Sequence, residues 1–265
     1  MSAPIRVGIG GWTFEPWRGT FYPEGLSQKK ELEFASRALT AIEVNGTYYS
    51  GFKPATFAGW RDTAPEGFVY AVKASRFCTN RKVLAEGGES VAKFVNQGIV
   101  ELGDKLGPIL WQFMATKKFD PEDFGAFLTL LPPAHEGVKL RHAIQVRHDS
   151  FRTAEFIALC REAGAAIVFA DSPTYPAIAD ITGDFVYARL EAGEDDNPLC
   201  YPEDDIGKWA KVAKEWASGG RPDGLPYVTA DAPPKQDRET FVFFIHGGKV
   251  RAPAAAQELI KRVAD

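Results

Sequence analysis

The sequence predicts one domain over residues 1–265, a (β/α)8 barrel of the TIM type, and three observations carry that reading. Eight short apolar runs recur along the chain, the number a closed parallel barrel requires. Segments with apolar residues at three- and four-residue intervals separate most of them. Several runs end in polar or charged residues, where a barrel collects its functional groups.

In chain order, the first run is Arg6 to Gly10, followed by the aromatic loop GGWTFEPWRGTFYPEG. Ala41 to Val44, Phe68 to Lys73 and Ile109 to Phe113 are the second to fourth, and His142 to Val146 is the fifth. A helix then begins at Thr153 as N-cap, carries Phe156, Ile157, Leu159 and Cys160 as its apolar stripe and stops at Gly164. The sixth run, Ala166 to Ala170, leads into SPTYPAIADITG, whose prolines and glycine leave little room for a helix, so this crossover is expected to be irregular. After the seventh run, Phe185 to Leu190, the acidic Asp204 and Asp205 suit a helix start, and Ile206, Trp209, Val212, Ala213 and Trp216 form its buried face. The Pro/Gly-rich stretch Gly219 to Pro226 reads as a connection to the eighth run, Phe241 to Ile245, rather than as an interdomain linker. Pro253 suits a first helical turn, with Leu259, Ile260 and Val263 as the apolar face.

A 45% hydrophobic content provides for a substantial core. The net charge of −4 argues against coating nucleic acid or an anionic membrane through the overall field, so any anion site must be local. Cys78, Cys160 and Cys200 lie far apart and outside CxxC spacing, which reads as buried reduced thiols rather than a disulfide framework or a zinc ribbon. The segment MSAPIRVGIGGW has no apolar signal core and no later run approaches a membrane span, so a cytoplasmic protein with no membrane partner is expected.

Alternate residues of a barrel strand point inward. In the fifth run Gln145 and Arg147 share a parity against Ile144, Val146 and His148. The same test groups Glu43 with Asn45, Lys73 with Ala71, and Tyr187 with Arg189, while Gln112 and Asp171 end the fourth and sixth runs. Glu43, Lys73, Gln112, Arg147, Asp171 and Arg189 are therefore expected to meet at one end of the barrel. Lys73, Arg147 and Arg189 outnumber Glu43 and Asp171, and guanidinium forks suit phosphate or carboxylate, so a small anionic ligand is the expected partner. In this reading Arg147 and Arg189 hold the anion, Lys73 is the electrophile or acid/base, Glu43 is the general base, and Asp171 completes the catalytic set. Asn45, Tyr48, Gln112, Gln145, His148, Tyr187 and His246 would contact the ligand, and Trp12, directly after the first run, would stack on it. The plainer alternative is a buried polar network that caps the barrel without chemistry.

Glu43, Asp171, His148 and His246 form no compact ligand motif, so neither a metal nor another cofactor is expected. Basic Arg76, Arg81 and Lys82 beside the aromatic loops keep a single-stranded nucleic acid as a less favoured partner.

VGIGGW with PWRGTFYP, EVNGTYY, FVYAVKASRFCTN, LGPILWQF, VRHDSF, FADSP and YARL together resemble the YecE-like family, domain of unknown function 72, over nearly the whole chain. The resemblance implies a (β/α)8 barrel likened to sugar isomerases, with no established activity. It also marks departures: Gln145 stands where the family has glutamate and Phe151 where it has tryptophan. Glu191 and Ala192 replace a His-Gly pair after the seventh strand, His246 lies where an asparagine is usual, and Ala255 replaces an asparagine of the last helix. Glutamine cannot act as a general base, so these changes imply either a divergent enzyme, a metal-independent isomerase, lyase or hydrolase of a sugar-like or phosphorylated molecule, or a barrel retained for binding.

Overall fold

Val, Ile, Phe and Ala dominate the eight runs, and in the computed structural model, which describes residues 2–264, each becomes a strand of one closed sheet. The strands are β1 (Ile5–Gly10), β2 (Ala41–Val44), β3 (Val69–Lys73), β4 (Leu106–Gln112), β5 (His142–Gln145), β6 (Ala166–Asp171), β7 (Phe185–Leu190) and β8 (Glu239–Phe244). Every neighbouring pair is parallel, and β1 closes the barrel by pairing with both β2 and β8. Around it run α1 (Glu31–Ala38), α2 (Gly46–Tyr49), α3 (Pro54–Thr63), α4 (Arg76–Thr79), α5 (Gly88–Val95), α6 (Pro121–Thr129), α7 (Ala154–Glu162), α8 (Glu203–Ala217) and α9 (Ala252–Ala264). Among the described residues no helix is long and apolar enough to cross a membrane.

The core has two parts because strand side chains alternate. Val7, Ile9, Ile42, Val44, Ile109 and Ile144 face the helices, whereas Ala41, Ala71, Leu110, Ala143, Val168, Phe185, Tyr187, Phe241 and Phe243 fill the barrel. Small residues on β2, β3 and β5 leave room for the rings of β7 and β8, where Tyr187 and Phe243 lie 5.1 Å apart. Gly8 permits the closest approach: a Cβ there would stand 1.9 Å from the Ala41 carbonyl oxygen.

Local signals hold where sequence chemistry specifies them. The Thr153 hydroxyl accepts from the Phe156 N–H at 3.2 Å, and Gly164 ends the α7 region at φ +63°. Between β6 and β7 there is no helix. That crossover instead buries Ile178 and Ile181, while the buried Asp180 carboxylate accepts from the Val228 and Thr229 N–H groups at 2.6 and 3.0 Å. All three cysteines are free and buried.

Candidate functional site

The inward parity of β2, β5 and β7 brings a polar network to the C-terminal end of the barrel. Arg189 donates from Nε and Nη2 to the two Glu43 oxygens at 3.0 and 3.1 Å, and from Nη1 to Gln145 Oε1 at 2.7 Å and to Glu191. Glu43 also accepts from Tyr187 Oη at 2.7 Å and Asn45 Nδ2 at 3.0 Å, and Gln112 donates to Gln145 at 2.6 Å. Gln145 donates in turn to Glu191 Oε1 at 3.0 Å. Glu43, Gln145, Arg189 and Glu191 are all buried.

Burial alone would raise the Glu43 pKa, but the positive charges of Arg189 and Lys73 and its hydrogen bonds outweigh that and hold it below the usual carboxylate range. Burial lowers the Arg189 pKa, and the Glu43 and Glu191 charges more than restore it. Both directions describe an ion pair that stays ionised.

Above this layer lies a cleft of about 550 Å³, lined by Lys73, Arg147, Arg189 and Lys249 and by no carboxylate. Lys73 is buried with its ammonium 4.3 Å from the Tyr48 ring centroid. Burial, then the Arg189 and Arg147 charges against the pull of Glu43, push its pKa down to about 8. Arg147 is half-buried, stacks on Tyr175 at 4.3 Å, and has a buried Nε with no partner among the described residues. His246, exposed on the rim, holds φ +75°, a conformation that side chains rarely adopt.

Of the residues singled out by sequence, Glu43, Asn45, Tyr48, Lys73, Gln112, Gln145, Arg147, Tyr187, Arg189 and His246 gather at this end. Three do not join the cleft. Asp171 has the outward parity of Ile167 and Phe169, accepts from Tyr201 Oη at 2.9 Å and lines a different depression beside α8. It ends β6, as the sequence predicts, but Val168 and Ala170 carry the inward positions of that strand. His148 is a local cap, its Nδ1 accepting from the Ser150 N–H at 3.1 Å. Trp12 lies next door, edge-on to Trp60 at 5.2 Å, and Trp17 takes the wall of the cleft with its indole N–H donating to the Lys249 carbonyl at 2.9 Å.

A fourth expectation changes in kind. Arg189 is engaged by two carboxylates and an amide, so it organises the floor and is not a free anion hook. Four residues were not foreseen as site groups: Trp17, Tyr175, Glu191 and Lys249. Glu191 had a signal, since it follows Arg189 by two positions and shares its parity. Its carboxylate contacts the Gln145 amide, so the carboxylate that position 145 lacks relative to the resembled family is present from the neighbouring side of the barrel. Tyr175 and Lys249 sit on irregular loops, where no periodicity announces direction. Phe151 packs among Phe119, Phe124 and Phe156, outside the barrel. Among the described residues no three His, Cys, Asp or Glu side chains cluster as a metal ion would need.

A family model described as "Protein of unknown function DUF72" matches residues 6–265. Among solved structures, a DUF72 family protein from Thermotoga maritima superposes with a TM-score of 0.74 at 23% identity, covering 99% of this chain and 100% of that one. A DUF72 family protein from Enterococcus faecalis gives 0.71 at 16% identity, covering 99% and 98%. An endo-beta-N-acetylglucosaminidase from Cordyceps militaris gives 0.52 at 10% identity, covering 100% and 92%, a likeness of fold alone. No curated protein matches.

Proposed function

The chain belongs to the DUF72 family of proteins of unknown function, and from the cleft in its barrel we propose that it binds a small anionic, sugar-like or phosphorylated molecule there and transfers a proton on it through Lys73. The observation that carries this reading is a cleft with four cationic side chains and no carboxylate on its wall. Arg147 is the anion hook, because its charge persists at any relevant pH, no ion pair neutralises it among the described residues, and stacking on Tyr175 sets the plane of its fork. Lys73, with a pKa near 8, exchanges its proton close to neutral pH, as a general acid toward a ligand oxygen or, once deprotonated, as a base. Glu43 acts through Arg189: its oxygens are occupied and it stays an anion, so it positions rather than accepts a proton. Proton transfer without a redox step suits an isomerase, lyase or hydrolase.

Thermal unfolding with millimolar phosphate, sulfate or sugar phosphates tests the binding step. The wild type should rise by about 2–4 °C, as expected for roughly 1 kcal/mol of ligand stabilisation in a chain of this size, and Arg147→Met should respond much less. Absence of a wild-type response, or an equal response in the variant, would make the cluster a structural cap.

A strand of nucleic acid is the second reading. It is favoured by the rim rings Tyr49 and Phe77, exposed by 65% and 61%, with the Arg76 guanidinium 5.3 Å from the Phe77 ring. Salt-dependent binding of a single-stranded oligonucleotide, lost in Phe77→Ala but insensitive to millimolar phosphate, would select it over the first.

A further inference from the structure

The N-terminal end of the barrel holds a larger cavity, of about 680 Å³, beneath the starts of β5 to β8. Lys139, Arg141, Arg161 and Arg238 line it, against one carboxylate, Asp184. That carboxylate is taken by Lys139 at 2.8 Å, and Glu239, behind the wall, is shared between Arg6 at 2.9 Å and Arg141 at 2.5 Å. Arg161 and Arg238 form no ion pair among the described residues.

Arg238 is 1% exposed, and its guanidinium donates only to carbonyls, those of Gly183, Gln236 and Pro234 at 3.4, 3.1 and 2.8 Å. Carbonyls satisfy its hydrogen bonds but not its full charge, and the Asp184 carboxylate, paired with Lys139, acts on it only from a distance, so burial holds its pKa below the ordinary arginine range. Arg161 spends Nη2 on Thr229 Oγ1 at 3.4 Å and the Asp231 carbonyl at 3.2 Å, while its Nε is buried and has no partner among the described residues. The nearby Asp180 carboxylate makes no direct ion pair with Arg161 among the described residues: it accepts from the Val228 and Thr229 N–H groups and from the Thr229 hydroxyl, which in turn accepts from Arg161 Nη2. These same bonds anchor the loop that walls the cavity. The lining also carries apolar Leu128, Leu131, Leu140 and Ile181.

We propose that this cavity is a second ligand site, independent of the mouth, for a small molecule with an apolar body and one or more anionic groups. Its volume lies within the range of small-molecule sites, roughly 300–1,000 Å³. The anionic group meets Arg161 and Arg238, and the body lies on the lining leucines.

The test uses phenyl phosphate and the aryl sulfonate 8-anilinonaphthalene-1-sulfonate, titrated at low salt into the full chain carrying Arg147→Met, so that the mouth does not contribute. Both should bind, and adding Arg161→Met should weaken binding by about tenfold or more, the loss of one charge-assisted contact. Ala163→Trp changes no charge and places bulk at the exposed edge of the cavity, so it should weaken binding as well. Circular dichroism establishes that each variant is folded. The proposal is overturned if neither probe binds in the Arg147→Met background, or if both added substitutions leave binding unchanged. A wild-type response to phenyl phosphate lost in Arg161→Met but intact in Arg147→Met would support this site while refuting the mouth reading.

Discussion

At the C-terminal end of the barrel Arg189 lies between two carboxylates, Glu43 and Glu191. At the N-terminal end Arg238 is as little exposed, yet its guanidinium donates only to backbone carbonyls, and the Asp184 charge acts on it without touching it. The difference follows from where the charged residues come from. At the mouth, alternate side chains of neighbouring strands enter one common volume, so a carboxylate from β2 reaches an arginine from β7 across the barrel. At the other end the rings of Phe185 and Phe241 close the interior, and Arg161 and Arg238 come from segments outside the barrel strands, where they donate to loop carbonyls and a hydroxyl. The mouth is therefore neutralised in depth and cationic at its surface, whereas at the base Lys139 and Arg141 have carboxylate partners and the deeply buried Arg238 touches none among the described residues.

The largest effect that can break this comparison is on stability. Glu43→Ala leaves Arg189 with one carboxylate and should cost about 3–5 kcal/mol, whereas Arg238→Met removes only carbonyl bonds to a charged group and should cost about 1.5–3 kcal/mol, both read from urea midpoints. An equal or larger loss at Arg238 would mean that carbonyls compensate buried charge as well as carboxylates do.

Lys73 sharpens the contrast through pH. Its folded-state pKa is depressed to about 8 from an ordinary 10.5, so between these values the unfolded chain binds more protons than the folded one. This amine thus makes stability rise with pH across that window, by on the order of 1–3 kcal/mol, and below about pH 8 its burial as a cation is a constant penalty. The difference in slope between the wild type and Lys73→Met isolates this contribution, because the buried thiols of Cys78, Cys160 and Cys200, pushed up by burial, make stability fall with pH from about pH 9 in both proteins. Phosphate bound at the mouth should favour the protonated amine and move the onset of the rise above pH 8.

A smaller effect concerns strain at the rim. His246→Gly relieves a positive φ and should stabilise the fold by about 0.5–1 kcal/mol while altering the anion response, as expected of a conformation held for a ligand. The smallest expected change is the loss of stability on Arg147→Met, within about 0.5 kcal/mol, because Arg147 makes no ion pair among the described residues and the Glu191 charge reaches it only from a distance. A severe loss would place Arg147 among the structural charges with Arg189.

Much of the architecture was legible before any coordinates. The eight runs, the Thr153 cap, the Gly164 stop and the missing helix after β6 are set by residues close in sequence, where local sterics and hydrogen bonding decide. Strand parity likewise led to the meeting of Glu43, Lys73, Arg147 and Arg189. It fails at Asp171, which ends its strand on the outward parity of Ile167 and Phe169; His148, which parity sets apart from Gln145 and Arg147 and which is expected from sequence to contact the ligand, instead turns its ring back on its own backbone.

What the sequence determined by itself was the periodic part of this protein: which stretches are strands, which face of each is polar, and that cations gather at the strand ends. Tertiary structure decided which charges neutralise one another. Glu191 and Arg189 are two residues apart and Glu43 lies 146 away, yet all three meet in one buried layer, and Arg147 is left without an ion pair among the described residues. Charge compensation depends on distances of a few ångströms through a low-dielectric interior, and these are set by how the sheet closes on itself, a global property that no local pattern carries.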